Sequence, residues 1–117
     1  MRFIEALISM MLIFLSNMTS QRTKACGITP KVRKEVLRRD GECCIFCGTS
    51  YGIQIAHYIG RGAGGLGIEQ NLVCACVQCH YEADNGADTK RYKNAMRMYL
   101  ERKYYPNWNE SELRYKK

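Results

Sequence analysis

The sequence predicts a small α+β domain: a short β-hairpin stapled by a metal and flanked by helices. Three observations carry this. Two Cys-x-x-Cys pairs, Cys44/Cys47 and Cys76/Cys79, stand 28 residues apart. Between them lie a β-branched segment at 53–59 and a short apolar segment at 72–75, on either side of a loop with five glycines. Around them, Thr29-Pro30, Asp40-Gly41, Asn85-Gly86 and Asp88 punctuate stretches of helical pattern.

The elements follow in order. Residues 18–28 read as a polar, mobile arm. Thr29 caps a helix over 31–39, with Pro30 in its first turn and Val32, Val36 and Leu37 on one face. Asp40-Gly41 ends it, and residues 42–48 form a tight cysteine knuckle. Residues 53–59 (Ile-Gln-Ile-Ala-His-Tyr-Ile) partly alternate and read as a strand. The glycines of 60–67 require a loop, read as a flexible hairpin tip. A second strand covers 72–75. A helix then starts near Val77 and stops at Asn85-Gly86. Asp88 caps a longer helix to about Tyr104, whose apolar stripe is Tyr92, Ala95/Met96 and Tyr99/Leu100. Tyr105-Pro106 breaks it, and Asn109 opens a last turn with Glu112 in capping-box position.

The chain of 117 residues makes one domain, with a core small enough for a metal to add useful stability. Seven cysteines are an odd number, and four fall in the two pairs. That favours thiolates on zinc over a secreted disulfide framework, and so a reducing, cytoplasmic setting. The net charge of +7 lies wholly in residues 18–117, because 1–17 hold one base, Arg2, and one acid, Glu5. A basic domain is consistent with a nucleic-acid partner but is weak support by itself. Residues 3–15 are apolar except for Glu5 and Ser9. They fall short of the about 20 that span a bilayer. Glu5 is wrong for a signal-peptide n-region, and no A-x-A site follows. Three readings stay open: an extension upstream of a start at Met18, a helix packing on another surface, and a membrane signal. The division is then 1–28, apolar stretch and arm, and 29–117, the domain proper.

Four cysteines in two such pairs suit one structural zinc, because zinc closes tetrahedral sulfur sites. Cys43 is an alternative to Cys44 in a looser knuckle. Cys26 and Cys74 read as buried or free thiols. The two histidines, His57 and His80, lie in or beside the cysteine framework. On a helix from Val77, Cys79 faces the zinc while His80 points about 100° away. Asp84, four residues on, shares the face of His80. A His and a carboxylate at that spacing make a two-ligand patch for a divalent cation. The alternative is a locally packed histidine beside a solvated carboxylate.

Taken together, Cys-x-x-Cys, Ile-Ala-His-Tyr-Ile, the glycine loop, Asn71-Leu-Val and Cys-x-x-Cys-His resemble the HNH endonuclease family over about residues 29–86. Gly65-Leu-Gly-Ile-Glu-Gln-Asn, Asp84-Asn-Gly and the later Tyr-Pro-x-Trp resemble its phage-type members. The resemblance implies a ββα-metal (His-Me finger) fold, in which a hairpin and a helix clasp a catalytic cation above the four-cysteine zinc. It implies that His57 is the general base, that Asn71 ties the loop and orients that base, and that His80 and Asp84 hold the cation, whether Mg²⁺, Mn²⁺, Ni²⁺ or Zn²⁺. Many members carry a further ligand just before the base, where this chain has Ala56. A shell one protein ligand short is then completed by water or phosphate. DNA is the implied partner, with phage packaging proteins beside it. Arg61 is placed to grip a phosphate. Basic runs offer backbone contacts: Lys31, Arg33, Lys34, Arg38 and Arg39 before the knuckle, and Lys90, Arg91, Lys93, Arg97, Arg102 and Lys103 on the long helix. The reading is a DNA endonuclease. Its rivals are a catalytically weak DNA-binding zinc module and a protein-interaction zinc finger.

Overall fold

The computed structural model describes residues 20–117. The apolar stretch at 3–15 and the candidate start at Met18 lie outside the described residues. Helix α1 (Gln21–Cys26) begins where the Ser20 hydroxyl accepts the Thr23 N–H at 3.1 Å. This corrects the expectation of a mobile arm. Cys26 is buried, and the Ala25 carbonyl accepts the Gly67 N–H at 2.9 Å. The short helix is therefore clipped onto the glycine loop. Helix α2 (Pro30–Arg39) starts as predicted, with the Thr29 hydroxyl accepting from Val32 N. It ends where Gly41 and Glu42 both take positive φ, which stops the helix and turns the chain into the knuckle.

Strands β1 (Ile53–His57) and β2 (Leu72–Cys76) pair antiparallel, with His57 opposite Leu72 and Ile53 opposite Cys76. Every residue of β2 is buried. The reason is that helices cover both faces of this two-stranded sheet. Ile55, Leu72 and Cys74 meet Val36 and Val32 of α2. Ala56, Val73 and Ala75 meet Ala83 of helix α3 (Val77–Asn85) and Met96 and Leu100 of helix α4 (Thr89–Tyr104). Hairpin and α3 form the ββα unit, and α4 packs behind it. The ladder of β1 stops at His57 rather than at Ile59, because the next two N–H groups turn to Asn71. Asp88 precedes α4 but its carboxylate does not cap it, contrary to expectation. Its backbone, at φ −106° and ψ 29°, is not the extended cap conformation that aims a side chain at the first free N–H groups.

The glycine loop is not a free tip. Leu66 N–H donates to Leu113 O, Tyr115 N–H to Gly64 O, and the Arg22 guanidinium to Gly62 O at 2.9 Å. Gly65 runs so close to the Ile59 carbonyl that a Cβ there would lie 1.7 Å from its oxygen. A second tether holds the start and middle of β2. Arg39 makes a two-pronged pair with Asp40 at 2.7 and 2.9 Å, and also donates to the Glu69 and Leu72 carbonyls and the Tyr104 hydroxyl. Asp40 in turn accepts from Cys74 N and the Tyr99 hydroxyl. Their side chains are 8% and 0% exposed. Arg39, expected on a phosphate-binding face, is therefore committed to the interior. Its pairing, Tyr99 and the Cys74 N–H hold Asp40 below the usual carboxylate range, although burial pushes the other way.

Candidate functional site

The knuckle and the start of α3 bring four sulfurs together. Those of Cys44, Cys47, Cys76 and Cys79 all lie within 4.8 Å of one another, and Cys47 and Cys76 are 3.7 Å apart. Zinc–sulfur bonds of about 2.3 Å arranged tetrahedrally require sulfurs about 3.8 Å apart. The cluster is thus positioned to hold one metal ion, and its soft, closed donor set fits zinc. Cys44, not Cys43, supplies the fourth sulfur. Its thiol is pushed up by burial, but the N–H groups of Cys47, Cys76 and Phe46 outweigh this and bring the pKa down to about 7. Burial and the neighbouring sulfurs push Cys79 up. Cys26 and Cys74 are buried single thiols, as expected.

His57 closes β1. Its Nε2 lies 3.0 Å from the Cys26 carbonyl oxygen, the last residue of α1. A carbonyl can only accept, so Nε2 carries the hydrogen. Nδ1 of the neutral ring then carries the lone pair. Burial, followed by the charges of Arg61, Lys93 and His80, pulls its pKa below the ordinary 6.5, against the opposing bond to Cys26. The ring is therefore neutral around pH 7.

Asn71 is fully buried at the start of β2. Its Oδ1 accepts from Ile59 N at 2.9 Å, and its Nδ2 donates to Ile59 O and Leu66 O at 3.1 and 2.9 Å. It ties the two ends of the glycine loop together. Its side chain makes no hydrogen bond to His57; its bonds reach the backbone of Ile59, two residues on.

His80 and Asp84 share one face of α3, with Nε2 and Oδ2 3.3 Å apart. The Nδ1 of His80 donates to Gln54 Oε1 at 2.8 Å. This leaves Nε2 free to join Asp84 as a ligand pair, and that arrangement fits a divalent cation with water or phosphate completing its shell. Among the described residues only the four cysteines form a cluster of three or more metal-type ligands. Ala56 is fully buried beside Val73, Ala83 and Met96, so its position forms part of the apolar core. Lys93 of α4 reaches this centre, donating to Asp84 Oδ1 at 3.0 Å and to the His57 carbonyl at 2.9 Å.

Arg61 is exposed in the turn after β1, close enough to influence His57. Lys90 and Arg97 line an open groove with Tyr58, Arg91, Lys93 and Asn94. Lys34 and Arg38 are not brought to it. They sit on α2, across the sheet, and Arg38 is paired with Glu35. Sequence reasoning missed Gln54, the Cys26 carbonyl and the bridging role of Lys93. Their contacts with His80, the His57 ring and the His57 carbonyl join residues 26 to 36 positions apart, and no local pattern marks them.

The fold is shared with a solved structure, the Type IV phosphorothioation-dependent restriction endonuclease ScoMcrA, at a TM-score of 0.55 and 23% identity. The match covers 64% of this chain and 19% of that one, so the chain spans about a fifth of the length of that enzyme. No protein-family model matches the sequence. No curated protein matches it either. Among the described residues no helix is long and apolar enough to cross a membrane. The small α+β fold with a two-stranded antiparallel sheet, flanking helices and a four-cysteine cluster is the predicted one.

Proposed function

We propose that this chain is a metal-dependent endonuclease of HNH type that hydrolyses phosphodiester bonds in DNA, with a structural zinc on Cys44, Cys47, Cys76 and Cys79. The observation that carries the reading is the setting of His57. Its Nε2–H is engaged by a carbonyl and its pKa is lowered. Both features suit a general base that takes a proton from water through Nδ1 at neutral pH. His80 and Asp84 would hold the catalytic cation, whose chemistry is to stabilise charge on the phosphate and on the leaving oxygen. Asn71 is a positioning residue that fixes the end of β1. Arg61, Lys90 and Arg97 would contact phosphates. The endonuclease neighbour supports the class through the shared fold. The phage-type role, with packaging partners or DNA mobility, rests on the motif resemblance alone.

A second reading, a weakly catalytic DNA-binding module, draws on one observation. Ala56 leaves the cation with two protein ligands. Plasmid nicking measured with Mg²⁺, Mn²⁺, Ni²⁺ and Zn²⁺ separates the two. We expect cleavage that depends on the added cation. His80→Ala should abolish it and retain one zinc per chain. Nicking that persists in His80→Ala, or zinc lost from it, contradicts the two-centre arrangement.

A further inference from the structure

The contacts of Lys93 go beyond those of a groove-lining lysine. Its ammonium is 3.0 Å from Asp84 Oδ1 and 2.9 Å from the His57 carbonyl oxygen, and its side chain is only 25% exposed. It therefore stands between the end of β1 and the carboxylate of α3, with the other oxygen of Asp84 turned to His80. A monovalent side-chain cation thus already neutralises the carboxylate that a divalent cation needs.

We propose that Lys93 is a built-in antagonist at this centre: its ammonium holds Asp84 Oδ1, and a divalent cation seated on Asp84 Oδ2 and His80 Nε2 binds against that charge. This rests on the reading that His80 and Asp84 are ligands. Two charges on one carboxylate repel each other, and at a few ångströms that repulsion is large even in a partly hydrated site. The ion pair with Oδ1 is also weakened when the cation draws charge from the same carboxylate. Both effects weaken cation binding. Lys93 also lines the groove with Tyr58, Lys90 and Arg97, where a DNA phosphate is a natural counter-ion for its ammonium. Lys93 is thus a positioning residue: it sets how tightly the cation is held and so couples cation binding to substrate.

The test is Mn²⁺ binding to the full, zinc-loaded chain, followed by calorimetry or by the spin resonance of free Mn²⁺. Mn²⁺ prefers oxygen and nitrogen donors and leaves a four-thiolate site alone. Lys93→Met should bind Mn²⁺ at least about fivefold more tightly than the unaltered chain. Lys93→Gln, which keeps a donor for the His57 carbonyl, should do the same. Lys90→Met removes an equal charge from the same groove without touching Asp84, and should stay near the unaltered value. Equal or weaker binding in both Lys93 variants overturns the proposal, as does equal tightening in Lys90→Met. Loss of Mn²⁺ binding in His80→Ala keeps the ligand assignment standing in those cases. If His80→Ala binds Mn²⁺ like the unaltered chain, or no chain binds it, the ligand assignment fails and the proposal falls with it.

Discussion

His57 gives the most direct test at the scale of one side chain. A base acts in its neutral form, so cleavage should rise as pH increases through its folded pKa and then level off. That pKa lies below 6.5, so the half-maximal point should fall below 6.5. A profile centred above 6.5 would mean that another group is the base. His57→Ala should lose at least the about hundredfold that a general base contributes, while zinc content and melting curve stay close to those of the unaltered chain. The candidacy of His57 came with the resemblance of Ile-Ala-His-Tyr-Ile, between two cysteine pairs, to the HNH family. Its tautomer was not legible. That depends on a carbonyl 31 residues earlier, delivered by a helix whose local pattern looked polar and loose. The same holds for Gln54, a mid-strand amide whose partner lies 26 residues on.

At the scale of elements, spacing alone named Cys47, Cys76 and Cys79 and favoured Cys44 over Cys43 for the fourth. Two tight turns of Cys-x-x-Cys geometry leave little freedom once the strands between them pair. The choice between Cys43 and Cys44 needed the structure, because the knuckle can wind either way before Cys47. Thiolate sites couple metal binding to folding. Removing the zinc with a chelator should therefore unfold the domain, and Cys47→Ser or Cys79→Ser should do likewise. An unchanged melting curve in a cysteine variant would remove the zinc from the stability argument. The Arg39–Asp40 pair makes a second prediction. Asp40→Asn leaves a buried guanidinium with half its partner, which should cost about 3 kcal/mol in urea denaturation. The pH dependence follows from the lowered pKa of Asp40. The stabilisation is fully present above the unfolded carboxyl pKa of about 3.9 and is lost as pH falls through the lower folded value. Acid titration of Asp40→Asn should lack that component. Helix α1 is not legible even though Ser20 is a good cap, because a six-residue segment with only Ala25 and Cys26 apolar gives no stripe. Asp88 was over-read: its residue type suits a cap, but its backbone conformation does not.

At the scale of the whole molecule, the proposed function asks where DNA would lie on a chain of net charge +7. The sequence offered two basic helices of equal standing, and only packing separates them. Helix α4 lies on the α3 side of the sheet and lines a groove that includes Lys93, which touches the His57 carbonyl and Asp84. Helix α2 covers the other face, with Arg39 buried and Arg38 engaged by Glu35. On the proposed reading, a strand whose scissile phosphate sat between His57 and His80 would run along α4 and pass the exposed Arg61. Each phosphate contact neutralised by a base contributes about 0.9 to the slope of log affinity against log salt. Lys90→Gln with Arg97→Gln should therefore weaken binding to an oligonucleotide duplex and flatten that slope by about 2. The Arg97–Glu101 pair does not prevent this, because it is largely exposed and so weak. Lys34→Gln with Arg38→Gln should leave the slope nearly as it was, although the two pairs of substitutions remove the same charge. Equal flattening by both pairs would show that net charge governs binding and that α4 is no track. A larger effect from the α2 pair would move the DNA to the opposite face of the sheet, away from His80 and Asp84, and the proposed catalytic geometry would go with it.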